Sequence, residues 1–405
     1  MSVELWQPQY TITPNIARSL MNIEAAKVIV DHTPITVIGE AELRNRARLR
    51  STHFSTRIEG NRLTLDEAEQ VINESKVKFH ERERDVKEVQ NYWNALLRVE
   101  EWAESRMPFS EDIIRRLHAL VERGARAKPT MYREGQNVIR DSASGGIVYL
   151  PPEAKDVPKL MSELVSWVNE AERRELPIPI IAGLVHYQFV TTHPYYDGNG
   201  RTARLLVTFI LQRGGYGMKS IFSLEEYHAR DLENYYQSLA VHPHHNYYEG
   251  RAEVDLTSWL QYFISLLLTV FNIAKEEVLQ YDKHDVPQQP EALRKLDFRA
   301  RNVLALFARQ EYITAADVAK ELSISERMAR ILLQQWVKDS WLRIGNTSNK
   351  SRNYILTEIY RKFIGNLSAI YRQFIGNEYF ELQYLLLSSF PSLSVTYNST
   401  TDNSN

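Results

Sequence analysis

Thirteen residues carry the densest chemistry in the chain: Thr192-His193-Pro194-Tyr195-Tyr196-Asp197-Gly198-Asn199-Gly200-Arg201-Thr202-Ala203-Arg204. His193 titrates near neutrality and can serve as a general base. Asp197 is a hard oxygen ligand of the kind Mg²⁺ takes alongside substrate phosphates. Gly198 and Gly200 lack a Cβ, so the backbone can turn sharply and approach a ligand closely. Asn199 tolerates unusual backbone angles and can donate from its amide. Arg201 and Arg204, three apart, offer planar forks that suit phosphate. Together these groups can bind a metal–polyphosphate and deprotonate a nucleophile beside it.

Two apolar stretches must position this loop. Ile181 to Val190 precedes it and Leu205 to Leu211 follows it, and both read as buried helices. The loop therefore closes on a helix N-terminus, where free N–H groups and the helix dipole favour an anion. Upstream, residues 39–58 read as an Arg-rich helix that ends at Gly60-Asn61. Ser55 and Glu59 lie at i and i+4, on one face. Read alone, Glu59 is an ordinary helix-end acid. Thr64 and Glu67 have the spacing of a capping box. Val86, Val89, Tyr92, Trp93, Leu96 and Leu97 give a core-facing helix over 84–104. Residues 138–149 read as a β-hairpin with Val138, Ile139, Ile147 and Val148 in its strands and a Ser/Gly turn at 142–146. Helices are expected over 13–31, 64–75, 108–123, 154–172, 224–241 and 254–277.

His193 through Arg204 satisfies every position of H-P-F/Y-x-D-G-N-G-R-x-x-R, and the stretch resembles the signature of Fic-domain proteins. The resemblance covers roughly residues 13 to 275. It implies AMPylation, the transfer of AMP from ATP to a hydroxyl side chain of a protein. His193 would be the base and Asp197 the Mg²⁺ ligand. Gly198, Asn199 and Gly200 with the neighbouring backbone would hold the α-phosphate, and Arg201 and Arg204 the outer phosphates. Ser55-x-x-x-Glu59-Gly60 is similar to the inhibitory motif S/T-x-x-x-E-G/N of relatives whose inhibitory helix precedes the core. The resemblance implies that Glu59 pairs with Arg204 and keeps ATP from its productive pose. The hairpin corresponds to the family's flap, which clamps a target segment by strand pairing. Tyr236, the second of an aromatic pair, is the candidate for stacking on adenine; the alternative, that Tyr235 and Tyr236 are both core, stays open. Pro243 stands where some relatives have asparagine.

The chain has 405 residues, 43% apolar, with a net charge of −2 and no cysteine. That excludes disulfides, thiolate metal sites and a cysteine nucleophile, and no global basic field points to nucleic acid. The N-terminus shows no signal-peptide pattern and no uninterrupted apolar run is long enough to span a bilayer, so a cytoplasmic protein without membrane contact is expected. The fold class expected is mainly α: a Fic-type helical core with a β-hairpin flap, plus a C-terminal winged helix-turn-helix domain. The expected divisions are an N-terminal helical region with the inhibitory helix at 1–105, the catalytic core at 106–280, a Pro/Gln linker at 281–292, the winged helix-turn-helix at 293–362, and a last helix with a disordered Ser/Thr/Asn tail at 363–405. Residues 293–362 hold fourteen Lys and Arg against seven Asp and Glu. Thr314 and Ser325 are its candidate N-caps, Arg327 and Arg330 the recognition-helix cations, and Lys350 and Arg352 those of the wing. Partners admitted are ATP, a protein with a Ser, Thr or Tyr hydroxyl (the chain itself included), DNA through residues 293–362, and a second copy in a homodimer. Two other readings stand beside AMP transfer: a nucleotide-sensing DNA-binding regulator, and Fic-type transfer or removal of another phosphate-linked group. His242, His244 and His245 read as a solvated turn.

Overall fold

In the computed structural model, residues 6–73, 79–125, 127–140, 146–282, 296–308, 310–322, 324–346, 352–358 and 360–361 are described. The chain separates into two compact units, residues 1–290 and 291–405.

In the first unit, Thr13 accepts from the Ile16 N–H and Pro14 occupies the first turn, starting α1 (Pro14–His32). Thr36 caps α2 (Val37–Ile58) in the same way. The Thr64–Glu67 capping box opens α3 (Leu65–Asn73), with both reciprocal bonds made, at 2.8 and 3.2 Å. Next come α4 (Glu83–Glu104) and α5 (Glu111–Arg123), the latter capped by Ser110. The hairpin follows as β1 (Ile139–Arg140) and β2 (Ile147–Tyr149), antiparallel with Ile139 opposite Tyr149. Of its turn, only Gly146 lies within the described residues. Then come α6 (Val157–Arg173), α7 (Ile178–Thr192) and α8 (Asn199–Leu211).

Beyond α8 the chain passes through a wide π turn at Gln212–Tyr216. The single helix expected over 224–241 is two helices, α9 (Leu224–Arg230) and α10 (Leu232–Leu239). Asp231 breaks them: its backbone is non-helical and its carboxylate caps α10 at the Asn234 N–H. The long α11 (Thr257–Asp282) runs five residues past the expected end and into the segment read as a linker; the rest of that linker lies outside the described residues.

Packing follows from apolar faces. α7 is buried nearly all round and lies between α8, α6 and α11, while α1 packs along α11. Trp259, Leu260, Phe263, Ile264 and Leu267 of α11 are fully buried in this core. By length and composition alone, Thr257–Gln280 could cross a bilayer. Its apolar side chains are instead packed against α1 and α7, as in a central core helix.

α2 is docked differently, through buried polar groups. Arg48 pairs with Glu100 at 2.5 Å, Arg44 with Glu40, and the Arg44 Nε donates to the Lys219 carbonyl. Ser51, Thr52, Ser55 and Thr56 are buried beside them. A helix held by buried polar contacts is fixed in register more than it is stabilised.

The second unit has α12 (Phe298–Leu304), α13 (Ala315–Glu321), α14 (Glu326–Lys338) and an antiparallel pair, β3 (Leu342–Asn346) and β4 (Asn353–Leu356). A bridge from Ile313 to Tyr354 extends the pair on one side. Thr314 caps α13 in a capping box and Ser325 caps α14. Val303, Ile313, Leu333, Trp336 and Trp341 form its core. Arg327 and Arg330 are exposed on α14, Arg330 paired with Glu326 at 2.7 Å, and Arg352 is exposed before β4. Lys350 and the last helix expected past residue 363 lie outside the described residues.

Candidate active site

α7 ends at Thr192, and His193 caps it in the left-handed region, with φ 48°. The His193 Nδ1 sits 3.2 Å from the Val190 carbonyl. A carbonyl only accepts, so Nδ1 carries the proton and a neutral ring keeps its lone pair on Nε2. Burial pushes the imidazole below its usual pKa, against the opposing pull of the Val190 carbonyl and Glu59. His193 is therefore held as a neutral base. Its carbonyl accepts from Arg133 Nε at 2.9 Å. Arg133 is a buried cation satisfied by backbone carbonyls alone, those of His193, Gly135 and Pro152. It ties the loop to the segment leading into the flap.

The loop then closes on α8. Gly198 has φ 74°, and a Cβ there would collide with the Glu122 carboxylate. Gly200 faces Glu59: a Cβ would collide with its Oε1. Asn199 turns its side chain inward. Its Oδ1 accepts from the Tyr195 N–H at 3.0 Å and its Nδ2 donates to the Tyr195 carbonyl at 2.8 Å. The amide expected to reach a phosphate is engaged in holding the loop, because this pair of bonds closes the turn. What Asn199 offers an anion is its backbone N–H. No side chain caps α8, so the dipole and the first-turn N–H groups face outward from the buried helix start.

Asp197 is the exposed carboxylate of the loop, its side chain 61% accessible. Oδ1 accepts from the Gly198 N–H at 2.7 Å, and Oδ2 lies 3.8 Å from Arg84 Nη2. One fixed, exposed carboxylate next to an uncapped helix N-terminus fits Mg²⁺, which takes one or two carboxylates plus phosphate oxygens. Among the described residues no cluster of three or more acidic, His or Cys side chains forms an all-protein metal site.

The two arginines have different partners. Arg204, 3% exposed, donates from Nε to Ser55 Oγ at 2.8 Å and from Nη2 to the Ser55 carbonyl at 2.9 Å and Glu59 Oε1 at 2.8 Å. Burial opposes its charge, and the Glu59 carboxylate together with the Tyr235 and Tyr92 hydroxyls more than offsets that, so its pKa is raised. Ser55 and Glu59, 149 and 145 residues away in sequence, thus share one guanidinium. Arg201, 2% exposed, points to carboxylates instead: Nη2 to Glu122 Oε1 at 2.9 Å and Asp197 Oδ1 at 3.4 Å, and Nη1 to Glu88 Oε1 at 3.7 Å.

Tyr235 is buried with its hydroxyl 2.8 Å from His186 Nε2, whereas Tyr236 is 50% exposed. Burial raises the Tyr236 pKa, Glu59 adding to the rise and Arg204 opposing it, and its ring lies 5.3 Å from that of Tyr235. Val138, Ile147 and Val148 of the hairpin are exposed and Ile139 is half-buried. Just past β2, Leu150 N–H donates to the His245 carbonyl and Tyr247 N–H to the Leu150 carbonyl.

Sequence reasoning missed His118, Glu122, Glu88 and Arg133. His118 Nε2 donates to the Asp197 carbonyl at 2.9 Å and its ring stacks on Tyr195 at 3.6 Å. Burial takes this imidazole down to about 4, so it is a neutral support. The i, i+4 spacing of His118 and Glu122 on an otherwise apolar-faced helix was the available signal.

Residues 108–211 match the Fic/DOC family. The chain is 41% identical over 68 residues to the protein adenylyltransferase Fic of Drosophila grimshawi, and 45% identical over 69 residues to that of Culex quinquefasciatus. Each match spans 17% of this chain and 14% of the relative's length. A crystal structure of a Fic family protein from Desulfovibrio desulfuricans G20 superposes with a TM-score of 0.54 at 26% identity, covering 87% of this chain and 99% of that one. A Fic domain containing signaling protein from Bacteroides thetaiotaomicron VPI-5482 shares the fold, with a TM-score of 0.55 at 24% identity over 66% of this chain and 97% of that one. Residues 108–211 thus form a domain of the Fic/DOC family.

Proposed function

We propose that this chain transfers AMP from ATP to a hydroxyl side chain of a protein, and that Glu59 restrains it. The observation that carries this reading is His193, held neutral with its lone pair on Nε2, on a loop that ends at the uncapped N-terminus of α8. The target hydroxyl oxygen attacks the α-phosphorus. A new O–P bond forms, the bond to the oxygen bridging toward the β-phosphorus breaks, and pyrophosphate leaves. The hydroxyl proton passes to Nε2, and the Val190 carbonyl steadies the imidazolium from the Nδ1 side. The first-turn N–H groups of α8 stabilise charge on the α-phosphate, and Arg204 suits an outer phosphate. Asp197 would hold Mg²⁺, which when bound neutralises phosphate charge. The exposed apolar hairpin supplies main-chain pairing for an extended target segment, on itself or on another protein.

The restraint follows from Arg204. Its fork donates either to a phosphate oxygen or to the Glu59 carboxylate, and here it donates to Glu59 at 2.8 Å. The test is incorporation of α-phosphate-labelled ATP with Mg²⁺ by wild type, Glu59→Gly and His193→Ala. Strong labelling by Glu59→Gly alone is expected. Equal labelling by all three, or none although nucleotide binds, would overturn the reading.

A further inference from the structure

Two arginines start α8, and both are held by carboxylates, but by elements of different kinds. Glu59 sits at the very end of α2, a helix docked by polar contacts, with its side chain 28% exposed. Glu122 sits on α5, whose Ile113, Ile114, Leu117 and Val121 are fixed in the hydrophobic core. The Glu122 carboxylate packs so closely on Gly198 that a Cβ there would force it to move. Arg201 is buried against it, with Glu88 of α4 and Asp197 of the loop completing three carboxylates around one guanidinium. Its Nε is buried without a partner. Burial raises the Glu122 pKa, and the Arg201 guanidinium opposes that rise.

We infer that Arg201 is a positioning residue rather than a phosphate ligand: it stays on Glu122 when nucleotide binds, fixes the Asp197–Gly198 turn, and leaves Arg204 as the arginine that meets the outer phosphates. A carboxylate from the rigid core makes a permanent tie, whereas one at a helix end makes a releasable one. Moving Arg201 to a phosphate would leave Glu122, whose side chain is 22% exposed, packed at the Gly198 turn without its closest cation, and a partly buried charge without its partner is costly. This inference rests on the nucleotide-transfer reading of the same site, and deepens it.

The test uses the full chain carrying Glu59→Gly, to which Arg201→Met, Glu122→Gln, or both are added. Isothermal titration with ADP and Mg²⁺ reads affinity, and labelled-ATP transfer at saturating nucleotide reads turnover. Arg201→Met alone strands Glu122 and weakens ADP binding tenfold or more. Adding Glu122→Gln removes the stranded charge, so the double variant binds ADP within fivefold of its parent. Its turnover still falls at least tenfold, because the turn carrying Asp197 has lost its tie. A double variant that binds ADP more than fivefold weaker than its parent makes Arg201 a phosphate ligand and overturns the inference; unimpaired turnover overturns the positioning role. If either variant fails to fold, crystals of the Glu59→Gly chain with ADP decide: Arg201 Nη2 stays in hydrogen-bond reach of Glu122, or it has moved to a phosphate and the inference is wrong. A Glu59→Gly parent that binds ADP but transfers nothing defeats the AMP-transfer reading alone, and the affinity comparison and the crystals still decide the tie.

Discussion

Glu59→Gly should tighten ATP binding while weakening the fold. Glu59 gives Arg204 one charge-assisted bond of 2.8 Å from a side chain 28% exposed. Hydrogen bonds to charged groups are worth about 1.5–3 kcal/mol, and partial exposure argues for the lower half, about 2 kcal/mol. An outer phosphate must displace that bond before Arg204 can hold it. At roughly 1.4 kcal/mol per tenfold, its removal gains about thirtyfold in ATP affinity. AMP ends at the α-phosphate and makes no use of Arg204, so its affinity should move by less than about threefold on the same scale. Glu59→Gln leaves a neutral acceptor with about half the strength, and should fall between. Stability moves the other way. Arg204 keeps both Ser55 contacts but loses the carboxylate that compensates its burial, at a cost of about 1–3 kcal/mol. Titration calorimetry with ATP and with AMP, beside thermal melts of the three proteins, reads all of this. If ATP and AMP tighten together, or neither does, Glu59 is not competing for an outer phosphate and the reasoning fails.

Other consequences are checked by single measurements. His193 is held below the ordinary histidine pKa by burial, so the acid limb of the transfer rate should have its midpoint below about 6.5, read from a pH–rate profile at saturating ATP. His118 is taken down to about 4 and His186 to about 3, both by burial, so the unfolded chain binds protons that the folded one refuses. Their contribution is complete above pH 6.5 and is lost as pH falls toward those values, by about 1.4 kcal/mol per pH unit for each; urea midpoints at pH 7 and pH 5 should differ accordingly. Gly198→Ala puts a Cβ into Glu122 at a left-handed backbone, and should lower stability by at least about 1 kcal/mol in denaturant titration. On α14, exposed Met328 and Ile331 lie beside Arg327, a mixture better suited to a protein than to base edges. Duplex DNA binding that falls steeply with salt, persists in His193→Ala and is lost in Arg327→Ala would restore the DNA-binding regulator reading.

The loop was legible because its chemistry is contiguous: base, carboxylate, turn and arginines fall within thirteen residues, and their order is their order in space. Ser55 and Glu59 were legible as one face of one helix, although nothing local says what that face meets. The supports of the loop were not legible, for two physical reasons. Glu122, Glu88 and Arg133 are ordinary surface-type residues whose meaning comes from tertiary contact with residues 60–113 positions away. Backbone carbonyls, which hold Arg133 and receive His118, have no residue type to read. The same limit explains Asn199. Its amide was assigned outward from its chemistry alone, yet an amide next to its own loop carbonyl can satisfy that loop first, and here it does. Asp231 is the mirror case, since its capping chemistry was present in the sequence but the apolar spacing on either side suggested one continuous helix. Contiguous motifs therefore gather the candidate groups, while only the packed structure shows which of them are tied to other elements of the fold. Arg201 and Arg204 are the sharpest instance, since they are identical in type, three residues apart, and closed on carboxylates from different elements.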